Sequence, residues 1–251
     1  MNSFDLTGKV AIVTGAGTGL GQGMAIALAE AGADIVGVAR RNQLETEQLV
    51  EKTGRKFLGI TADLLSTEPI QGIVDQTVAT FGHVDILVNN SGIIRRNDAI
   101  DFTEKDWDDV MNINIKTVFF FCQAVARQFL KQKTGGKIIN IASMLSFQGG
   151  IRVPSYTASK GGVMGITRLL ANEWAKHNIN INAIAPGYMA TDNTAALRAD
   201  EKRNAEILDR IPAARWGLPS DLGGPVVFLA SSASDYVNGY TVAVDGGWLA
   251  R

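Results

Sequence analysis

The chain has 251 residues, with 24 Lys and Arg against 25 Asp and Glu and a formal net charge of −1. With 46% hydrophobic and 20% charged residues, this suits one soluble globular domain with a large core, and it argues against a nucleic-acid partner, which calls for a basic stripe. No apolar run approaches the ~18 residues of a membrane-spanning helix, and the first residues lack a basic start followed by an apolar run. Neither a membrane partner nor a signal peptide is therefore expected, and a cytoplasmic location is. Cys122 is the one cysteine and His83 and His177 the only histidines, so neither a disulfide nor a metal site is expected.

In chain order, short apolar runs alternate with longer stretches of helical period. Residues 10–14 read as a buried strand and 19–31 as a helix. Runs at 35–38, 57–60, 86–89, 138–142, 179–184 and 241–244 read as further strands. Helical periodicity covers 70–80, 107–132, 156–176 and 222–230. The alternation predicts an α/β fold: a single Rossmann-like, doubly wound domain over 1–251, with a seven-stranded, mostly parallel sheet and helices on both faces. The polar segment 188–215, interrupted by Pro212, falls between the last two strands. It reads as a helical lid at the binding edge, or as a plain surface excursion.

Thr14-Gly15-Ala16-Gly17-Thr18-Gly19-Leu20-Gly21 follows the first strand and opens a helix. Glycines let the backbone turn tightly and bring N–H groups close to a pyrophosphate, and the helix start adds positive partial charge. Gly15, Gly17, Thr18, Gly19, Leu20 and Gly21 are therefore candidates to hold a dinucleotide. Val38-Ala39-Arg40-Arg41 ends the second strand without the acid that would bond the 2′-hydroxyl of NAD. Arg40 suits the 2′-phosphate of NADP, unless both arginines merely face solvent. Asp63, after the third strand, is placed for the adenine amine, and Asn89-Asn90-Ser91-Gly92 forms another edge of the cleft.

Tyr156 and Lys160 are four residues apart, so on a helix they share a face with Cβ atoms about 6 Å apart. A free tyrosine has a pKa of about 10, and a nearby ammonium lowers it toward the working range of a proton shuttle. Ser143 lies just beyond the fifth strand, where it reaches a substrate oxygen. Asn114 interrupts an apolar helix and either holds a water near Lys160 or is a satisfied core amide.

Together these motifs resemble the short-chain dehydrogenase/reductase family along almost the whole chain, on to Pro186-Gly187 and Asp245-Gly246-Gly247. The resemblance implies a nicotinamide-dependent oxidoreductase acting on CH–OH groups. It makes Tyr156 the general acid/base, and has Lys160 lower the tyrosine pKa and hold the nicotinamide ribose. Ser143 orients the substrate oxygen and Asn114 positions a relay water. Tyr156 and Lys160 then join Leu64, Asn90, Ser91, Gly92, Pro186, Gly187, Met189 and Thr191 as cofactor contacts. Ser91 stands where the family usually has alanine. The family pattern points to NAD and residues 39–41 to NADP, so both cofactors stay open. A homotetramer packed through the two longest helices is also implied.

Residues 93–96, 104–110, 143–156 and 248–251 look most similar to members that act on sugar acids. A carboxylate in the substrate calls for a cation in the cleft. Arg152, between Ser143 and Tyr156, is the first candidate, followed by Arg95 and Arg96 unless Asp98, Asp101 or Glu104 pairs with them. Gln148 offers an amide to sugar hydroxyls. The alternatives are a reductase of a 3-oxoacyl or ketose carbonyl, and a non-catalytic nucleotide-binding protein.

Overall fold

Seven β-strands carry the architecture: β1 (Val10–Thr14), β2 (Asp34–Ala39), β3 (Phe57–Thr61), β4 (Ile86–Asn89), β5 (Gly136–Ile141), β6 (Ile179–Pro186) and β7 (Thr241–Val244). The computed structural model describes residues 3–251; Met1 and Asn2, at the start of the segment read as free of a signal peptide, lie outside the described residues. The strand order is β3-β2-β1-β4-β5-β6-β7. Every neighbouring pair is parallel, so the sheet is wholly and not mostly parallel.

Burial on both faces explains the near-continuous apolar runs. In β1, Val10 and Ile12 enter one core, whereas Ala11 and Val13 enter the other, as a period of two requires. The first core is covered by α3 (Pro69–Phe81), α5 (Thr117–Gln132) and α6 (Pro154–Trp174), through side chains such as Ile73, Phe121 and Leu170. The second is covered by α1 (Gly19–Glu30) and α9 (Gly223–Ala230), through Met24, Leu28 and Val226. Strand order reverses between β1 and β4. In open parallel sheets such a switch point, at the carboxyl edge, is where ligands bind.

Several elements depart from the periodicity reading. The helix expected over 107–132 is α4 (Glu104–Met111), a π-turn over Asn112–Lys116 and then α5. The wider turn sits where Asn114 makes its side-chain contacts, and inserted residues of this kind recur at functional sites. A further helix, α2 (Leu44–Glu51), escaped detection because only Thr46 and Val50 of it are buried, too few to make a periodic stripe. The 188–215 segment contains α7 (Ala195–Ala199) and α8 (Glu201–Arg210). Of these, α8 packs Ile207 against Met144 and Trp248.

Phe129 is fully buried, and its ring lies against the backbone of Gly136 at the start of β5. Phe129→Ala is expected to lower unfolding free energy by about 3–5 kcal/mol, read as a drop in the urea midpoint at unchanged m-value.

Candidate active site

The turn after β1 is locked to the loop after β4. Thr14 Oγ1 accepts the backbone N–H groups of Asn90 and Ser91 at 2.9 Å each, and Asn90 Nδ2 donates to the Thr14 carbonyl at 2.9 Å. The side chain of Asn90 thus braces the turn. A Cβ on Gly21 would strike the Gly15 carbonyl and lie 2.6 Å from the Asn90 amide, and Gly19 holds a φ of 58°. Larger residues at these points would fill or unwind the cradle. Thr18, the N-cap of α1, is extended and makes no side-chain cap, and the first turn of the helix carries no acid. The opening N–H groups of α1 therefore face the cradle without a competing side chain. A phosphate fits such a set of donors.

The other expected cofactor residues ring the same edge, with varied local duties. Leu20 packs into the second core, and a methyl on Gly17 would meet only ordinary contacts. Arg40 and Arg41 are exposed beyond β2, and among the described residues neither has a carboxylate partner. Asp63 is exposed and accepts from the Leu65 N–H at 3.0 Å, whereas Leu64 is buried and its carbonyl accepts from Thr117 Oγ1 at 2.9 Å. A Cβ on Gly92 would sit 3.0 Å from Asn114 Oδ1, which places that glycine against the π-turn between α4 and α5. Pro186 ends β6, and the Gly187 N–H donates to the Val244 carbonyl at 3.0 Å. Met189 is buried, and Thr191 lies beside Gly19.

Ser143, Asn114, Tyr156 and Lys160 come from three different segments and meet at one place. Ser143 hydrogen-bonds the Tyr156 phenol. Its Oγ also accepts from the Leu145 N–H at 3.1 Å, which holds the hydroxyl in place. Ser146 Oγ accepts from the Ser143 N–H at 3.3 Å and donates to the Lys160 carbonyl at 2.6 Å, tying the loop after β5 to α6. Asn114 is fully buried: Oδ1 accepts from the Ile93 N–H at 2.9 Å, and Nδ2 donates to the Ile93 carbonyl at 3.0 Å and to Ser159 Oγ at 3.2 Å. Both ends of this side-chain amide therefore have protein partners.

Burial is the largest influence on both Tyr156 and Lys160. Burial raises the Tyr156 phenol above its ordinary range, while the Ser143 hydrogen bond and the charge of Arg96 pull it down. Lys160 stands one turn further along α6. Its Nζ lies 5.6 Å from the Tyr156 ring centroid and donates to the Ile141 carbonyl at 2.6 Å. Burial also pushes Lys160 itself down to about 8.

The arginines are sorted by their partners. Arg95 pairs with Asp106 at 3.3 Å and Asp109 at 3.4 Å, and not with Asp98, Asp101 or Glu104. Arg152 pairs with Asp98 at 2.8 Å. Arg96 is exposed and, among the described residues, has neither an ion pair nor a hydrogen bond. Gln148 Oε1 accepts from Trp248 Nε1 at 3.3 Å, which leaves its amide N–H₂ for other contacts.

A family described as enoyl-(acyl carrier protein) reductase matches residues 15–249, which include all four catalytic candidates. The chain is 72% identical to the 2-dehydro-3-deoxy-D-gluconate 5-dehydrogenase of Escherichia coli (strain K12), over 100% of this chain and 99% of that protein. The chain belongs to the short-chain dehydrogenase/reductase family. A solved structure from Agrobacterium tumefaciens, provisionally a 2-deoxy-D-gluconate 3-dehydrogenase with bound NADP, is 54% identical with a TM-score of 0.95 and full coverage of both chains. A second, from Beutenbergia cavernae, is provisionally an NAD(P)-dependent gluconate 5-dehydrogenase with bound NADP at low occupancy. It is 44% identical, with a TM-score of 0.95 and full coverage of both chains.

Sequence reasoning missed the residues that support the short-chain dehydrogenase site from behind. Ser146 carried a signal, because Ser143-x-x-Ser146 has capping-box spacing, and both bonds of that box form. Ile93 and Ile141 act through backbone atoms, which side-chain identity does not advertise. Cys122 is fully buried in the first core and also borders a polar cluster. It accepts from Asn89 Nδ2 at 3.3 Å and donates to Asn140 Oδ1 at 3.6 Å.

Lys160 supplies a pH test of this geometry. Its pKa falls from the ordinary lysine value of 10.5 to about 8 on folding, so between those values the unfolded chain binds more protons. The burial penalty is complete below pH 8 and fades as pH rises toward 10.5. Urea unfolding of the wild type and Lys160→Met from pH 7 to 10 should show the wild type gaining on the variant, by up to about 1.4 kcal/mol per pH unit. A constant gap would refute the buried-ammonium geometry.

Proposed function

We propose that this chain is a 2-dehydro-3-deoxy-D-gluconate 5-dehydrogenase. It interconverts the C5 alcohol of that sugar acid and the C5 ketone of 3-deoxy-D-glycero-2,5-hexodiulosonate, in the breakdown of pectin-derived uronates. The observation that carries the reaction type is the Ser143 hydroxyl bonded to the Tyr156 phenol, at the same carboxyl edge of the sheet as an uncapped glycine-rich helix start. Full-length identity to the Escherichia coli enzyme supports the substrate.

A bound nicotinamide nucleotide supplies or accepts the hydride. Ser143 holds the substrate oxygen by hydrogen bonding, and Tyr156 donates a proton to that oxygen in reduction and recovers it in oxidation. Ser143 and Arg96 ease ionisation of the phenol against the cost of burial. Lys160 would hold the nicotinamide ribose of a bound nucleotide, and Asn114 fixes the 90–93 loop through both backbone groups of Ile93. Residues 188–215 cover the substrate side, with α8 seated on Met144 and Trp248.

Arg40 and Arg41 favour NADP, as two guanidinium groups without acid partners at the ribose end of β2. The exposed apolar side chains Trp107, Phe120, Leu130 and Leu169 on α4, α5 and α6 support a homotetramer packed through these helices. Among the described residues no helix is long and apolar enough to cross a membrane, and a cytoplasmic enzyme is the accompanying expectation.

The experiment is turnover of a sugar-acid panel, followed by nicotinamide absorbance with each nucleotide. 2-Dehydro-3-deoxy-D-gluconate should give the highest kcat/KM, and a flat panel would sink the assignment. Tyr156→Phe should lose about 10²-fold or more in kcat while its nucleotide Kd, read by fluorescence titration, stays unchanged. Arg40→Ala combined with Arg41→Ala should raise KM for NADPH roughly 10- to 100-fold and that for NADH no more than about twofold. Equal changes for both nucleotides would reject the phosphate role.

A further inference from the structure

The mouth of the cleft is built from two loops, one after β4 and one between Ser143 and α6. Three arginines stand on them, and the structure separates their duties. We propose that Arg96 receives the carboxylate of the substrate, and that Arg152 straps the two loops together without touching substrate. The proposal rests on the sugar-acid reading above and deepens it by naming the cation.

Arg95 is turned toward α4, where Asp106 and Asp109 hold its guanidinium and Lys105 shares Asp109 at 2.8 Å. A substrate carboxylate at Arg95 would have to approach two acids already in place. Such a cation is neutralised for this purpose.

Arg152 has a φ of 64°, a left-handed conformation that side chains other than glycine adopt only where the surroundings hold them. Its carbonyl accepts from the Asn97 N–H at 3.1 Å, and its Nε lies 2.8 Å from Asp98 Oδ1. The ion pair is more than half exposed on both sides, so its attraction alone is weak. Combined with the backbone bond two residues beyond Arg95, it closes a bridge from one loop to the other. The guanidinium is spent on Asp98, across the mouth.

Arg96 lies between two anchors, Ile93 on Asn114 and Asn97 on Arg152. Its backbone is therefore held, while its guanidinium has no protein partner among the described residues. The charge is close enough to the Tyr156 phenol to act on it, which neither Arg95 nor Arg152 does. A sugar acid with its reacting carbon between Ser143 and Tyr156 carries its carboxylate a few bonds away, within the reach of a long, unpaired guanidinium. The planar fork of arginine suits that anion in a two-point contact.

The test compares wild type, Arg96→Gln, Arg96→Lys and Arg152→Ala on the sugar acid and on a neutral hydroxyketone of similar length. Calorimetric titrations with D-gluconate and D-glucitol give a binding readout that needs no turnover. Arg96→Gln is expected to raise KM for the acid roughly 10- to 100-fold and that for the ketone no more than about twofold. The KM ratio is the criterion, because losing this charge also changes Tyr156 ionisation and hence kcat on both substrates. Arg96→Lys should recover part of the ratio, and Arg152→Ala should shift both substrates alike. The preference for D-gluconate over D-glucitol should vanish in Arg96→Gln. An unchanged ratio there, or a loss confined to the acid in Arg152→Ala, overturns the proposal. If the wild type does not turn over the sugar acid, the functional reading fails, and the D-gluconate preference with and without Arg96 still decides this one.

Discussion

The catalytic arrangement depends on one short hydrogen bond, from Ser146 Oγ to the Lys160 carbonyl at 2.6 Å. Ser143 belongs to the loop leaving β5, and Tyr156 to the first turn of α6. Nothing in the chain between them compels the two hydroxyls to meet. Ser146 compels it, because the same oxygen that donates to α6 accepts the Ser143 N–H. A hydroxyl with one donor and two acceptor sites can serve both at once, which an apolar residue of similar size cannot.

Behind this junction the interior is polar where the rest of the core is hydrocarbon. Asn89 donates to Asn140 at 2.9 Å, Asn140 donates to Thr167 at 3.0 Å, and Thr167 donates to the Val163 carbonyl at 2.8 Å. These buried bonds connect β4, β5 and α6. Their low-dielectric setting strengthens each bond and penalises any vacancy, so they specify register more than they add net stability. Burial in the same cluster pushes the Cys122 thiol up to about 12, which keeps it protonated and able to donate. The π-turn at Asn112–Lys116 extends the logic to α4 and α5. There the locally wider helix carries the amide that binds both backbone groups of Ile93.

Charge at the cleft follows a division of labour that residue type alone does not reveal. Buried Lys160 and partly buried Tyr156 both resist ionisation, each shifted toward its neutral form by loss of water. Exposed Arg96 supplies long-range positive charge without being consumed by a partner. Arg95 and Arg152, of the same type and on the same two loops, are absorbed into ion pairs. Three arginines within reach of one opening therefore have three environments.

All seven strands were legible from the chain, because a parallel sheet covered on both faces leaves unbroken apolar runs such as Val10–Thr14. The glycine turn, Ser143, Tyr156 and Lys160 were legible as well, since each stands at a strand end or a helical spacing that local geometry fixes. The break between α4 and α5, the weakly amphipathic α2 and the backing residues Ser146, Ile93 and Ile141 were not. Sequence by itself determined on which local element each candidate residue lies, since this follows from short-range periodicity and turn stereochemistry. Only the tertiary structure decided which partner each charge takes, that Lys160 turns to the Ile141 carbonyl, and that Asn114 clamps Ile93. Those outcomes depend on segments distant in sequence competing for the same hydrogen bonds and ion pairs, a competition that spacing along the chain does not encode.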